Sequence, residues 1–165
     1  FLGVTRLGYI PFPFASITIM HLPVILGAVL EGPLVGTIIG LIFGISSMLQ
    51  AFLAPTSPGD LLFRDPLVSI FPRLFIGVVA WAVYRVAKRP LGEIFALGLA
   101  GAAGTLTNST LVLGMLVLRQ IIPLGLAGTI ALTNVPFELV AAVLITVAVV
   151  AAWKRLEYGR KGADL

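Results

Sequence analysis

The chain has 165 residues, of which 59% are hydrophobic and only 11% are charged, and its formal net charge is +4. Soluble domains carry about a quarter charged residues, and a chain this short cannot bury so much apolar surface in one core, so the composition favours a membrane protein. The basic residues stand at the ends of apolar runs, which argues against a nucleic acid partner. The absence of cysteine excludes a disulfide framework and a thiolate metal site.

Five apolar segments follow one another along the chain, at residues 19–30, 34–53, 73–86, 91–118 and 126–153. A helix needs about 20 apolar residues to cross a bilayer, and the pattern lacks the alternation typical of a membrane β-barrel. Residues 1–10 are predicted to be the end of a truncated first helix. The predicted fold is therefore an all-α membrane protein, a six-transmembrane-helix bundle forming one integral membrane domain over residues 1–165.

Lysine and arginine predict the orientation of the bundle, because cytoplasmic ends are richer in them. If the spans alternate, one end carries seven basic residues: Arg85, Lys88, Arg89, Lys154, Arg155, Arg160 and Lys161. The other end carries Arg6, Arg64, Arg73 and Arg119. The first end is therefore predicted to face the cytoplasm, together with both termini of a multi-pass plasma-membrane protein. The loops at 11–18, 54–72 and 119–125 then face outward.

The stretch "LTNVPFELV" interrupts the last apolar segment with Asn134, Pro136 and Glu138. Asn134 and Glu138 are four residues apart, so they share one face of a helix, and Pro136 frees a backbone carbonyl between them. A central charged side chain costs about 2.5–3.5 kcal/mol on insertion scales, which usually marks a polar site facing the bundle. The alternative is that both side chains bond neighbouring helices and only hold the bundle together.

The preceding segment carries a second polar group, "GTLTNST", which includes Thr105 and Asn108. Asn108 is predicted to lie at a depth similar to that of Asn134, in the outer half of the membrane. Ser and Thr readily bond the carbonyls of their own helix, whereas Asn does not.

Arg73 is predicted at the outer mouth, where it either snorkels to the interface or presents a planar fork to a carboxylate or phosphate.

His21 is the only histidine, and with few carboxylates and no cysteine it is a poor metal ligand. We expect no metal and no cofactor, and we expect His21 to bond a loop or a ligand.

Gly36, Gly40 and Gly44 recur every four residues, a pattern that lets helices approach closely within the chain or between chains. The chain lacks a GxxxxGK[ST] phosphate loop and an HExxH motif. A membrane enzyme with Glu138 and His21 as acid and base stays an alternative, as does a structural assembly subunit.

The stretch "ITIMHLPVILGAVLEGPLVGTIIGLIFG" resembles the substrate-binding S component of energy-coupling-factor (ECF) vitamin transporters, and "HLPVILGA" followed by "GP" is most similar to the pantothenate-type members. The specific motif covers residues 18–33, and the layout of spans extends the likeness to nearly the whole chain. The resemblance implies a six-helix protein that captures a vitamin from outside with high affinity. It also implies association with a transmembrane coupling subunit and two cytosolic ATPases, and toppling in the membrane to release the vitamin.

Together these observations predict a membrane-embedded vitamin-binding subunit, most similar to those for pantothenate, with riboflavin, folate or thiamine as alternatives. The predicted substrate-binding residues are Arg73, Asn108, Asn134, Glu138, Thr105, His21 and Thr18. The family docks its coupling subunit through a small-residue motif on the first helix. Because this motif is not visible here, the glycines at 36, 40 and 44 are considered as a substitute docking surface.

Overall fold

The structure is a computed structural model that describes residues 9–11, 16–18, 20–55 and 58–163, with side chains for residues 20–55 and 59–155. A short antiparallel hairpin precedes the helices, and its strands are β1 (Tyr9–Pro11) and β2 (Ser16–Thr18). The helical elements are α1 (Leu22–Glu31), α2 (Pro33–Leu53), a 3₁₀-helix (Pro58–Arg64), α3 (Pro66–Ser69), α4 (Phe71–Leu91), α5 (Glu93–Leu118) and α6 (Leu124–Ala163).

Two glycines make the sharp connections of the bundle. Gly32 joins α1 to α2 with a φ of 105°, and Gly92 joins α4 to α5 with a φ of 80°. Side chains with a Cβ rarely adopt these backbone angles, so glycine allows each pair of helices to reverse direction within one residue. As a result α1 and α2 run antiparallel, and so do α4 and α5.

Four of the described helices are long and apolar enough to cross a membrane, and they lie at Pro33–Leu53, Pro66–Leu91, Glu93–Leu118 and Leu124–Arg155. Their outward faces carry large apolar side chains such as Leu34, Phe95 and Leu132, which are 73%, 72% and 81% exposed. Lipid is the environment that suits such a surface. The prediction of an all-α membrane bundle is confirmed, although the described helices do not provide the predicted number of six spans.

Helix α4 lies at the centre of the bundle and packs against α1, α2 and α5, while α6 packs mainly on α5. The larger apolar cluster includes Ile25 of α1, Ile76 of α4 and Leu97 of α5, all essentially buried. A second cluster at the other end joins Val68 of α3 to Val112 of α5.

The structure differs from the sequence-based expectation in three segments. The predicted loop at 11–18 contains strand β2 and the end of β1, and residues 9–10 belong to β1, so they do not end a helix; residues 1–8 lie outside the described part of the chain. The predicted outer loop at 54–72 contains the 3₁₀-helix and α3. The last helix begins at Leu124, passes Pro136 without a break and continues to Ala163.

Candidate functional site

Helix α1 is only 10 residues long, which corresponds to about 15 Å, or half of a hydrocarbon core of about 30 Å. It runs from the turn at Gly32 into the bundle, and its buried N-terminal residue His21 reaches Thr105. Thr105 lies near the middle of the 26-residue helix α5. The start of α1 therefore lies level with the middle of α5.

His21 and Thr105 form the best-defined polar contact of this region. The distance from His21 Nε2 to Thr105 Oγ1 is 2.9 Å, and both residues are buried, at 1% and 0% exposure. The Thr105 hydroxyl donates its single proton to the Gly101 carbonyl, so it accepts the bond from His21 and the imidazole proton resides on Nε2. Two predicted site residues are thus brought together.

The hairpin provides non-helical backbone next to this contact. Strand β2 contacts α6, and Thr18 pairs with Tyr9 in the hairpin register. Irregular backbone at membrane depth is tolerated only where it is buried in protein or lines a water-filled cavity. The predicted Thr18 lies in β2 of this hairpin, and its side chain lies outside the described part of the chain.

Arg73 is buried near the start of α4, with only 4% of the residue exposed, so its guanidinium does not snorkel to the interface. Its Nη1 donates to the Val68 carbonyl. Its Cζ lies 5.2 Å from the centre of the Phe43 ring and 4.9 Å from that of Phe63. Two aromatic faces stabilise the cation by cation–π attraction and hold the plane of the fork. This arrangement keeps a positive charge inside the bundle.

Depth along the helices places Arg73 and the α1 start at one level. A Cβ built on Gly40 of α2 would collide with the Arg73 carbonyl and lie 3.5 Å from Val24 Cγ1, so both neighbours flank the same point of α2. His21 is about one helical turn before Val24. Counted from Gly92, Arg73 and Asn108 lie 19 and 16 residues, or about 28 Å and 24 Å, along their helices. Arg73, His21 and Asn108 therefore lie within about one helical turn of one another in depth, and they define the polar layer of the bundle.

Ser109, next to Asn108, joins α5 to Glu138 of α6 in this layer. The hydroxyl of Ser109 donates to Glu138 Oε2 at 3.3 Å. Asn108 Oδ1 is buried, and no hydrogen-bond partner for it is found among the described residues. A buried amide oxygen of this kind costs about 1–3 kcal/mol unless it accepts a bond. The arrangement suits a ligand that donates an N–H or O–H.

Asn134 lies one turn before Glu138 on α6 and is half-buried. Among the described residues, no hydrogen bond joins it to Asn108. The structure therefore links Asn108 to the α6 polar group through its neighbour Ser109 and not through the two amides directly. The Arg73 guanidinium contacts Phe43 of α2 and Phe63 of the 3₁₀-helix.

The three glycines at 36, 40 and 44 require a correction. All three are buried within the chain. A Cβ on Gly36 would lie 2.5 Å from Ala28 Cβ, and one on Gly44 would lie 2.8 Å from Ile70 Cα. Because α1 and α4 already cover this face of α2, the glycines serve packing inside the chain, and a docking surface for another subunit has to be sought elsewhere.

Sequence reasoning missed two residues of the layer, Phe43 and Phe63. Phe43 lies three residues after Gly40, so the glycine spacing could have indicated that it borders the same close helix contact. Phe63 belongs to the stretch that was read as an outer polar loop, and no local pattern indicated that it folds back over Arg73.

Comparison with known proteins supports the resemblance found at residues 18–33. The family model described as ECF transporter, substrate-specific component, matches residues 1–154. The chain is 34% identical over 161 residues to a protein named pantothenic acid transporter PanT from Lactococcus lactis subsp. cremoris (strain MG1363), covering 86% of this chain and 79% of that protein. It is 29% identical over 163 residues to a protein named pantothenate transporter PanT from Leuconostoc mesenteroides subsp. mesenteroides, covering 87% and 79%. The chain therefore belongs to the family of substrate-specific components of ECF transporters.

Proposed function

We propose that this chain is the high-affinity vitamin-binding subunit of an ECF-type importer and that its vitamin is pantothenate. The observation that carries the proposal is the polar layer at mid-bundle depth, where a buried guanidinium, a buried amide oxygen and a non-helical hairpin occur in a chain of this family. Both relatives described above carry pantothenate or pantothenic acid in their names, which supports the choice of vitamin.

Pantothenate offers one carboxylate, one amide and two hydroxyls, and the layer offers matching groups. Arg73 is a buried cation with a fork that suits a carboxylate. Asn108 Oδ1 is an acceptor for the ligand's amide N–H or a hydroxyl. Asn134 and Thr18 are proposed to complete the hydrogen bonds from α6 and β2.

Glu138 and the His21–Thr105 pair have supporting roles in this proposal. The Glu138 carboxylate, held by the Ser109 hydroxyl, accepts a ligand hydroxyl or orients Asn134. It does not meet the ligand's carboxylate, because two buried negative charges repel. The Thr105 hydroxyl orients the His21 ring between strand β2 and helix α1. We propose that the domain comprises residues 1–165 as one unit.

As a family member the chain is a membrane-embedded transport subunit and not an enzyme. We infer that uptake requires other chains: a transmembrane coupling subunit and two cytosolic ATPases, which hydrolyse ATP. The basic ends of α4 and α6, together with both termini, are proposed to face the cytoplasm, because cytoplasmic segments of membrane proteins carry more lysine and arginine. The chain reconstituted alone into liposomes should then bind the vitamin without accumulating it.

Equilibrium binding to the detergent-purified chain tests the choice of vitamin. Radiolabelled pantothenate should bind at one site per chain, and excess unlabelled pantothenate should displace it. Riboflavin, folate and thiamine at the same excess should leave the label in place. Saturable binding of one of these vitamins instead of pantothenate would reassign the substrate within the family, and concentrative uptake by the lone chain would contradict the inferred need for partners.

A further inference from the structure

A second polar feature lies at the opposite end of the bundle from Arg73. The last turns of α4 line a surface groove of about 300 Å³ with Trp81, Tyr84, Arg85, Lys88 and Arg89. These residues are spaced by three, four, seven and eight positions, so one helix face presents them all. The groove is thus formed by two aromatic rings and three cations.

The charges in this groove are only partly compensated. Lys154 of α6 and the Tyr84 hydroxyl both donate to Glu93 Oε1, while Lys88 Nζ lies farther away at 3.8 Å. Among the described side chains, Arg85 and Arg89 form no ion pair. Glu93 thus has two lysine neighbours, and Arg85 and Arg89 are exposed on the surface of α4.

The surroundings of the groove are apolar and face lipid. Val86 is 75% exposed, and across the Gly92 turn Ile94 and Phe95 are 66% and 72% exposed. Arg85 Cζ lies 5.3 Å from the centre of the Trp81 ring, and tryptophan with arginine is typical of the membrane interface. A soluble anion would use the cations but not these apolar neighbours, whereas an anionic lipid would use both.

We propose that this groove binds the phosphate of an anionic phospholipid headgroup, with Arg85 and Arg89 donating to the phosphate oxygens and the acyl chains lying against the apolar residues at the ends of α4 and α5. Arginine presents two parallel donors to a phosphate, and basic pockets between membrane helices bind anionic headgroups in this way. Lys88 adds a third cation while it is shared with Glu93.

Tryptophan quenching by brominated lipid tests the site directly. The chain has two tryptophans, so a Trp153→Phe background leaves Trp81 as its only one. In nanodiscs, brominated phosphatidylglycerol should be enriched next to Trp81 over brominated phosphatidylcholine by roughly fivefold or more. The double variant R85Q/R89Q should bring this ratio to about one. The matched variant R64Q/R119Q removes two charges from the other end and should keep the preference.

Equal quenching by both lipids in the parent would overturn the proposal. A preference that survives in R85Q/R89Q, or an equal loss in both double variants, would also overturn it. Added inorganic phosphate should not reduce the preference, and a loss on its addition would show a site for free phosphate instead of lipid. If R85Q/R89Q keeps the lipid preference but no longer copurifies with a coupling subunit, the groove docks a protein and the lipid assignment fails. An unchanged helical circular dichroism spectrum and a monodisperse elution peak confirm that each variant is folded.

Discussion

His21 Nε2 and Thr105 Oγ1 lie 2.9 Å apart and join the start of α1 to the middle of α5. Replacing Thr105 with valine keeps the shape but leaves the buried imidazole N–H without its acceptor. We expect Thr105→Val to lower the free energy of unfolding by about 1–3 kcal/mol. Vitamin binding should also weaken, because His21 connects the hairpin to the start of α1. Thermal unfolding in detergent, together with a binding titration, measures both effects.

Thr107→Val is the matched control for this substitution. The Thr107 hydroxyl donates only to the Ala103 carbonyl of its own helix, at 2.8 Å, and removing such a bond changes little. If both valine variants unfold and bind alike, the His21–Thr105 contact does not organise the site.

Gly40 is expected to be intolerant of any side chain. A Cβ there would collide with the Arg73 carbonyl on α4, so Gly40→Ala must push α2 away from α4, at a cost of about 1–3 kcal/mol. Because the displaced backbone carries Arg73, affinity for the vitamin should fall together with stability. Chemical unfolding and binding measured on the same preparation check this prediction.

Gly114→Ala on α5 provides the comparison, since nothing lies within 4 Å of a Cβ built there. It should leave binding intact and stabilise the helix by up to about 1 kcal/mol, as alanine does relative to glycine. A Gly40→Ala variant as stable as Gly114→Ala would mean that α2 and α4 are not in close contact.

The ion pair between Asp65 and Arg119 predicts a pH dependence at the end of the bundle opposite the Gly32 and Gly92 turns. The Leu67 backbone N–H and then the Arg119 side chain, at 2.8 Å, lower the pKa of the Asp65 carboxyl below its ordinary value of 3.8. A lowered folded-state pKa means that the stability is fully present above the unfolded value and is lost as pH falls through the folded value. The thermal midpoint of the parent should therefore lose an increment below pH 3.8 that Asp65→Asn lacks.

Arg119→Gln separates the two causes. Because the backbone N–H of Leu67 also lowers the pKa of Asp65, this variant should retain part of the pH-dependent increment. Parallel pH curves for the parent and Asp65→Asn would show that the carboxyl has the same pKa in the folded and unfolded states.

The hairpin and the 3₁₀-helix segment are expected to cover the bound vitamin. Hydrogen exchange of the backbone amides in residues 9–18 and 58–68 should slow several-fold when pantothenate is added, because ordering loops over a ligand reduces local opening. The connection at 119–123 is also at this end of the bundle and should exchange at the same rate with and without vitamin. If all three segments exchange at the same rate with and without pantothenate, neither the hairpin nor the 3₁₀-helix segment covers the vitamin.

Local patterns predicted the helices well, and non-local contacts limited the rest. The bounds expected for α2 and α5 agree with the structure to within two residues, because their apolar runs end at Gly32, Gly92 and polar residues. The hairpin was not predicted, since two strands of three residues among prolines have no measurable alternation. The 3₁₀-helix was missed for a similar reason.

In the candidate site, too, local patterns indicated single residues, whereas contacts between distant parts of the chain were not predictable. Arg73, Asn108 and Glu138 could be predicted because a polar side chain in an apolar run is costly and stands out. Their neighbours could not, because Phe63 reaches Arg73 from another element and Ser109 is the residue that bonds Glu138. Glycine spacing likewise indicated a close helix contact around Gly40 without indicating which helix forms it.

Calorimetric titration of pantothenate into folded, monodisperse variants tests the central claim most directly. Arg73→Ala removes a partner of a buried charge, which costs about 2–5 kcal/mol and corresponds to tens- to thousands-fold weaker binding. Arg73→Lys keeps the positive charge but not the planar pair of donors, so its affinity for pantothenate should lie between those of the parent and Arg73→Ala. Asn108→Ala and Asn134→Ala should each cost less, about 1–3 kcal/mol. If the arginine and asparagine variants all bind pantothenate as tightly as the parent, the site lies elsewhere and these residues only hold the helices together.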